Sequence, residues 1–147
     1  MEKLVIERNR EDFYRLQIND TEDYIELDLT DISLPERVMN AADNIAKMDS
    51  DYQREKQEII NNNQNEEQRV RKLINLEKEK SLAMRKEFDS FLGEGSCQKI
   101  FGNANYYGMY LQLFEALEPH FKKMEIKLKK GKEKLAKKYL NNDSDVI

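Results

Sequence analysis

Between Pro35 and Gly93 the chain contains neither glycine nor proline. These two residues are the strongest local breakers of regular structure, so a run of this length without them favours long helices over a chain of short strands and turns. The entry to the run fits that reading. Ser33-Leu34-Pro35-Glu36 sets a capping serine three residues before a glutamate, with proline in the first turn, where its missing N–H costs nothing. Val38, Ala42, Ile45, Tyr52 and Ile59 recur at helical spacing, as do Val70, Leu73, Ile74, Met84, Phe88 and Phe91 further on. Between the two sets, Asn61-Asn62-Asn63-Gln64-Asn65 interrupts the stripe with poor helix formers. The preferred reading is a helical hairpin turning near Asn61–Asn65, with arms of roughly 40 Å at 1.5 Å per residue. One uninterrupted long helix is the alternative.

The chain before Ser33 has a different period. Leu4-Val5-Ile6 is a short β-branched-rich run, while Tyr14, Leu16 and Ile18 alternate with polar residues. After the polar stretch Asn19–Asp23 the alternation resumes at Ile25, Leu27 and Leu29. Period-2 spacing broken by a turn is a β-hairpin signal, and a small sheet needs a helix over its apolar face to be stable. Beyond the long run, Gly93-Glu94-Gly95-Ser96 offers a left-handed helix stop, and Gly102-Asn103 ends a short turn over Cys97–Phe101. The last helix carries Tyr110, Leu113, Phe114, Leu117, Phe121, Met124, Leu128 and Leu135, with Pro119 inside the pattern.

The expected fold is therefore mainly α with a small N-terminal antiparallel β-meander (α+β), a long helical hairpin and a C-terminal helix. The expected layout is one domain: a β-meander over 1–32, the hairpin over 33–92, a glycine-punctuated turn over 93–104, a helix over 105–140 kinked near 119, and a frayed 141–147.

Charged residues make up 37% of the 147, against a typical ~25%. So polar a chain suits an elongated helical protein that finishes burying itself against a partner. A single cysteine, Cys97, excludes a disulfide framework within the chain, and a single histidine, His120, removes histidine-rich metal sites. No apolar run approaches the ~18 residues of a membrane span, and the N-terminus lacks the apolar stretch of a signal peptide. The expectation is a soluble, intracellular protein with no metal, no cofactor and no membrane. The net charge of −4 conceals an asymmetry: residues 1–60 hold sixteen acids and eight bases, whereas 122–147 hold four acids and nine bases.

Each candidate site competes with a plainer reading. Gly93–Cys97 could feed an anion or an activated thiol to a helix N-terminus, but it matches no phosphate-binding fingerprint, and a turn with a small buried cysteine is preferred. His120 has no partner nucleophile or orienting acid that the sequence places beside it. The chain is accordingly read as a non-enzyme with no catalytic residues. The basic patch Lys122, Lys123, Lys127, Lys129, Lys130 and Lys134 could attract nucleic acid, yet its helix has no Arg and no interleaved aromatics. A solvated face or an acidic protein partner is preferred there. The densest apolar group, Phe101, Tyr106, Tyr107, Tyr110 and Phe114 with Met109, reads either as core or as a partner-binding surface rich in aromatics and methionine. Phe101, Tyr107, Met109, Tyr110, Leu113 and Phe114 are the residues selected for binding.

Three stretches carry a resemblance. Asp28-Leu29-Thr30-Asp31-Ile32-Ser33-Leu34-Pro35, Phe91-Leu92-Gly93-Glu94-Gly95-Ser96-Cys97-Gln98-Lys99-Ile100-Phe101-Gly102 and Met109-Tyr110-Leu111-Gln112-Leu113-Phe114-Glu115-Ala116-Leu117 resemble small tail assembly chaperones of phages and prophages of Gram-positive bacteria. The resemblance implies a non-enzymatic protein of the host cytoplasm that binds the aggregation-prone tape-measure protein and brings tail tube subunits to it. Self-association through the same apolar stripe stays open. The alternative function is a small nucleic-acid-associated protein acting through the Lys-rich helix.

Overall fold

A computed structural model describes residues 1–7, 10–62 and 65–145, with side chains described for the same residues except Arg10, 126–136 and 138–145. After a 3-10 turn at Arg10–Asp12, strands β1 (Phe13–Gln17) and β2 (Tyr24–Asp28) form an antiparallel hairpin. Helices α1 (Leu34–Asn61), α2 (Glu66–Leu92), α3 (Ser96–Phe101) and α4 (Tyr107–Asp145) follow. The chain is mainly helical with a small N-terminal antiparallel sheet, the fold class read from the sequence.

The pairing Tyr14 with Leu27 and Leu16 with Ile25 puts the alternating apolar residues of both strands on one face, because side chains two apart share a face. Arg15 and Glu26 occupy the other face and pair at 2.6 Å, with Arg15 also lying over the Tyr24 ring. Within the connection Asn19 adopts a left-handed backbone (φ 50°), and the Ile18 N–H donates to the Asp23 carbonyl at 2.9 Å. The sheet has two strands: Leu4-Val5-Ile6 lies outside any strand, with all three side chains exposed. A strand forms its ladder only with a neighbour, so β-branched composition without an edge to pair with does not make one.

The helical hairpin is an antiparallel pair. Lys80 on α2 meets Glu55 on α1 at 3.3 Å, and Asn44 on α1 donates to Glu87 on α2 at 3.0 Å. Asn62 caps the end of α1 in an extended conformation, and the Asn65 side chain accepts the Gln68 N–H at 2.9 Å to start α2. Asparagine is unfavourable inside a helix for the reason that makes it a good cap, so the reading of the Asn-rich stretch as a turn is correct at both flanks. Asn63 and Gln64 lie outside the described residues.

The expected Ser33–Glu36 capping box is replaced by another arrangement. Ser33 makes no side-chain cap bond. Its N–H and hydroxyl both donate to Asp31 Oδ1, and Arg37 reaches back to Ser33 Oγ and to Asp31 Oδ2. These bonds, the hydroxyl foremost, hold the Asp31 carboxyl below its usual range.

Helix α2 is the hub. Met84 and Phe88 are wholly buried, with Ser81, Phe91 and Leu92 beside them. Phe88 stacks on Tyr110 of α4 at 6.1 Å between ring centroids, and Phe91 meets Phe121 at 5.9 Å. On α1, Tyr52 stacks on Tyr107 at 3.9 Å, and the Tyr107 hydroxyl donates to Asp49 at 2.7 Å. Helix α4 therefore begins beside the midpoint of the α1–α2 pair and runs toward its open end, away from the Asn-rich turn. Val70 and Ile74, read from their spacing as stripe residues, are exposed, because nothing described packs over the distal part of α2 on that side.

The last helix differs from the expectation at its two ends. It starts at Tyr107 and reaches Asp145 instead of fraying from Asn141, with Pro119 inside it. The carbonyl that Pro119 leaves without its helical donor belongs to exposed Glu115, where water can serve. Past Gly131 no glycine or proline interrupts the run, so propagation continues. Residues 146–147 of the expected tail, and the side chains of Leu128 and Leu135, lie outside the description.

Phe88→Ala is expected to lower unfolding free energy by about 3–5 kcal/mol, the usual cost of deleting a buried aromatic ring. Val70→Ala on the same helix is expected to change it by less than about 0.5 kcal/mol. Urea denaturation of the two variants followed by circular dichroism measures both.

Candidate functional site

The segment joining α2 to α4 is fixed by polar groups on α2. Asp89 Oδ1 accepts the Cys97 N–H at 2.9 Å and so satisfies a free donor at the start of α3. Gly95 precedes that helix at φ 81° and Gly102 follows it at φ 63°, left-handed conformations that side chains disfavour. Arg85 then gathers the far end. One guanidinium nitrogen donates to the Ala104 carbonyl at 3.2 Å, and the other donates at 2.8 Å to both Gln98 Oε1 and the Gly102 carbonyl. Asn105 completes the connection by accepting the Tyr110 hydroxyl at 2.7 Å.

This clamp holds Ile100, Phe101 and Tyr106 opposite the inner face of the β-hairpin. Between them lies an open cleft of about 520 Å³. Leu16, Ile18 and Ile25 of the hairpin form one wall, and Met109, Leu113 and Leu117 of α4 another. Exposed Ala116 and half-buried His120 continue the α4 wall. The Tyr14 hydroxyl stands 2.9 Å from His120 Nδ1 and ties the hairpin to α4. Tyr106, on the wall from the α3–α4 loop, is exposed. The lining is mostly apolar, with Gln17, Asn19, Gln112 and His120 as its polar members. A surface of this kind grips an apolar segment and orients it through a few polar groups.

The structure divides the six residues selected from the sequence. Phe101, Met109 and Leu113 line the cleft, although Met109 is itself almost wholly buried. Tyr107 and Tyr110 are buried against α1 and α2 and do not line it, which corrects their placement on a binding surface. Phe114 is partly buried against the core and does not line the cleft. Sequence reading missed the hairpin wall and the α4 positions 116 and 120. Met109, Leu113, Ala116 and His120 follow one another at steps of four, three and four, the signature of one helix face. Tyr107, Tyr110 and Phe114 belong to an adjoining stripe, and reading both stripes as one patch mixed core with cleft.

Cys97 is fully buried, its Sγ donating weakly to the Arg85 carbonyl. Burial first, then the neighbouring Asp89, pushes its thiol up to about 12. A thiol so placed holds its proton at neutral pH, the opposite of an activated nucleophile. Among the described residues no group of three or more His, Cys, Asp or Glu is disposed to hold a metal ion, and no helix is long and apolar enough to cross a membrane. In the basic patch Lys122 and Lys123 are exposed; the side chains of Lys127, Lys129, Lys130 and Lys134 lie outside the described residues. Comparison with protein-family models, curated sequences and solved structures found no match for this chain.

Replacing Arg85 by Ala removes three charge-assisted hydrogen bonds and should destabilise the fold by about 1–3 kcal/mol, whereas exposed Arg71→Ala should cost less than about 0.5 kcal/mol. Thermal unfolding of the two variants separates the outcomes.

Buried acids also set a pH dependence. Cys97, Tyr107, Tyr110 and Tyr52 all have their proton-bound forms favoured in the folded chain, with burial the leading cause in each. Their unfolded forms ionise near 9.0 for the thiol and 10.0 for the phenols. The stability they contribute is complete below about pH 9 and is lost as pH rises, because the unfolded chain then releases protons that the folded chain keeps. Denaturation midpoints should therefore fall steadily from pH 9 to 11, while Tyr107→Phe, starting from a lower midpoint at pH 7, should show a shallower decline.

Proposed function

We propose that the chain is a non-enzymatic tail assembly chaperone that binds the tape-measure protein and helps recruit tail tube subunits in the cytoplasm of a bacterial host. The observation that carries this reading is the open apolar cleft. Two of its walls are built from Phe91–Gly102 and Met109–Leu117, the stretches that bear the resemblance to such chaperones. Its chemistry suits the task. The client that the resemblance implies is an extended helix, and a helix with an amphipathic face docks by laying residues at steps of three and four into an apolar groove. Only a fraction of such a client enters a cleft of this size, so each contact is weak and exchangeable, as a factor that must later dissociate requires.

The alternative, a nucleic-acid-associated protein, rests on the Lys-rich helix, and among the described side chains only Lys122, Lys123 and Lys137 contribute to it in the exposed state. No further observation favours it.

Tyr106→Asp combined with Ala116→Arg tests the proposal. Both side chains are exposed, so the variant should fold, yet they place two charges and added bulk in the cleft. Co-expression with the tape-measure protein and affinity capture should show at least a tenfold loss of bound client. Undiminished capture by a variant with native circular dichroism would remove the cleft from consideration.

A further inference from the structure

Along α2, Val70, Ile74, Glu77, Ser81, Met84, Phe88 and Phe91 follow one another at alternating steps of four and three. That is the a/d seam of a coiled coil. Its last four residues are buried in the core. Its first two are not: Val70 is 46% and Ile74 57% exposed, and Ile60 on the last turn of α1, at about their level in the antiparallel pair, is 41% exposed. The seam thus continues beyond the part of it that the fold covers. Helix α4 cannot supply the missing cover, since Tyr107 at its start already lies beside Tyr52 and Phe121 lies beside Phe91, so α4 runs the other way.

Charge says what fits. Residues 53–80, the distal parts of both arms, hold seven basic and six acidic side chains, nearly balanced and interspersed. Residues 1–52 hold six basic and fourteen acidic ones. The distal arms are thus where two copies approach with little net repulsion and with both signs available for cross-pairing. A strongly acidic or strongly basic partner gains no steering there.

We propose that the distal arms of α1 and α2 pair with the same segment of a second copy about a two-fold axis, closing a four-helix bundle over Val70, Ile74 and Ile60. This surface is separate from the cleft, and the inference does not depend on the proposed function. Glu77, the charged residue in the seam, fixes the register by seeking a basic side chain of the second copy, at some cost in affinity. With three exposed apolar residues from each copy, the interface belongs to the small, exchangeable class.

Sedimentation equilibrium of the full chain from about 1 to 300 µM is the test. The mass should rise from 17.5 kDa toward twice that value. Val70→Glu with Ile74→Glu alters only exposed positions and should remain monomeric throughout with unchanged helix content. Glu77→Leu should move the transition at least tenfold lower in concentration, and Ala116→Arg in the cleft should leave it in place. A wild-type chain that stays at the monomer mass overturns the proposal. So does a dimer that survives Val70→Glu with Ile74→Glu, or one that Ala116→Arg dissolves.

Discussion

Met84, Phe88 and Phe91 lie within two turns of one helix and are almost completely removed from water. At about 25 cal/mol per Å² of apolar surface, and with aromatic rings that each bury 150–250 Å², this short segment concentrates apolar burial at one place in a chain in which 37% of residues are charged. Tyr110 and Phe121 reach it from α4, and Cys97 is buried with it from α3. The two-stranded sheet, too small to stand alone, becomes stable by turning Ile25 and Leu27 toward the same core.

The polar groups that shape the cleft stand on the flank of that segment. Arg85 and Asp89 are one helical turn apart on α2, so the packing that fixes Phe88 also fixes both. Asp89 secures the start of α3 and Arg85 its end. The glycines at 95 and 102 let the backbone take the conformations these bonds demand. A cleft between three separate elements thereby acquires a defined width: one wall is placed by the clamp, another by α4, and the third by the strand register, with Tyr14 and His120 bridging the last two.

What was legible in the sequence was whatever local chemistry decides. The hairpin strands follow from alternation at Tyr14–Ile18 and Ile25–Leu29, and the helical turn from the caps at Asn62 and Asn65. The binding surface is a tertiary product and was only half legible. Two stripes on α4 are offset by about a third of a turn, and composition does not tell which one meets α2; Tyr107 and Tyr110 faced inward because α1 and α2 offered Tyr52, Asp49 and Phe88 to meet them. The hairpin wall lies some ninety residues away in sequence from the α4 wall and left no local trace. Leu4-Val5-Ile6 had strand propensity but no edge to join. Ser33 had a capping sequence, but Asp31 two residues earlier offered a charged acceptor for both its N–H and its hydroxyl, and charge-assisted bonds are the stronger ones.

A further constraint follows from the direction of α4. One helix can cover only one end of the α2 seam. By lying against the open end of the hairpin it completes the core and forms the cleft with the sheet, and by the same geometry it leaves Val70 and Ile74 to solvent. Lengthening α4 cannot repair this, because every added turn travels further from the distal arms. Reversing it would cover the arms and dismantle the cleft. An uncovered apolar end on the arms is thus the geometric counterpart of having a cleft at the other end. The two surfaces differ in kind: the cleft is concave and assembled from three elements, while the arms offer a straight seam with balanced charge along both helices. A concave pocket selects a shape, and a straight seam selects another helix of matching period.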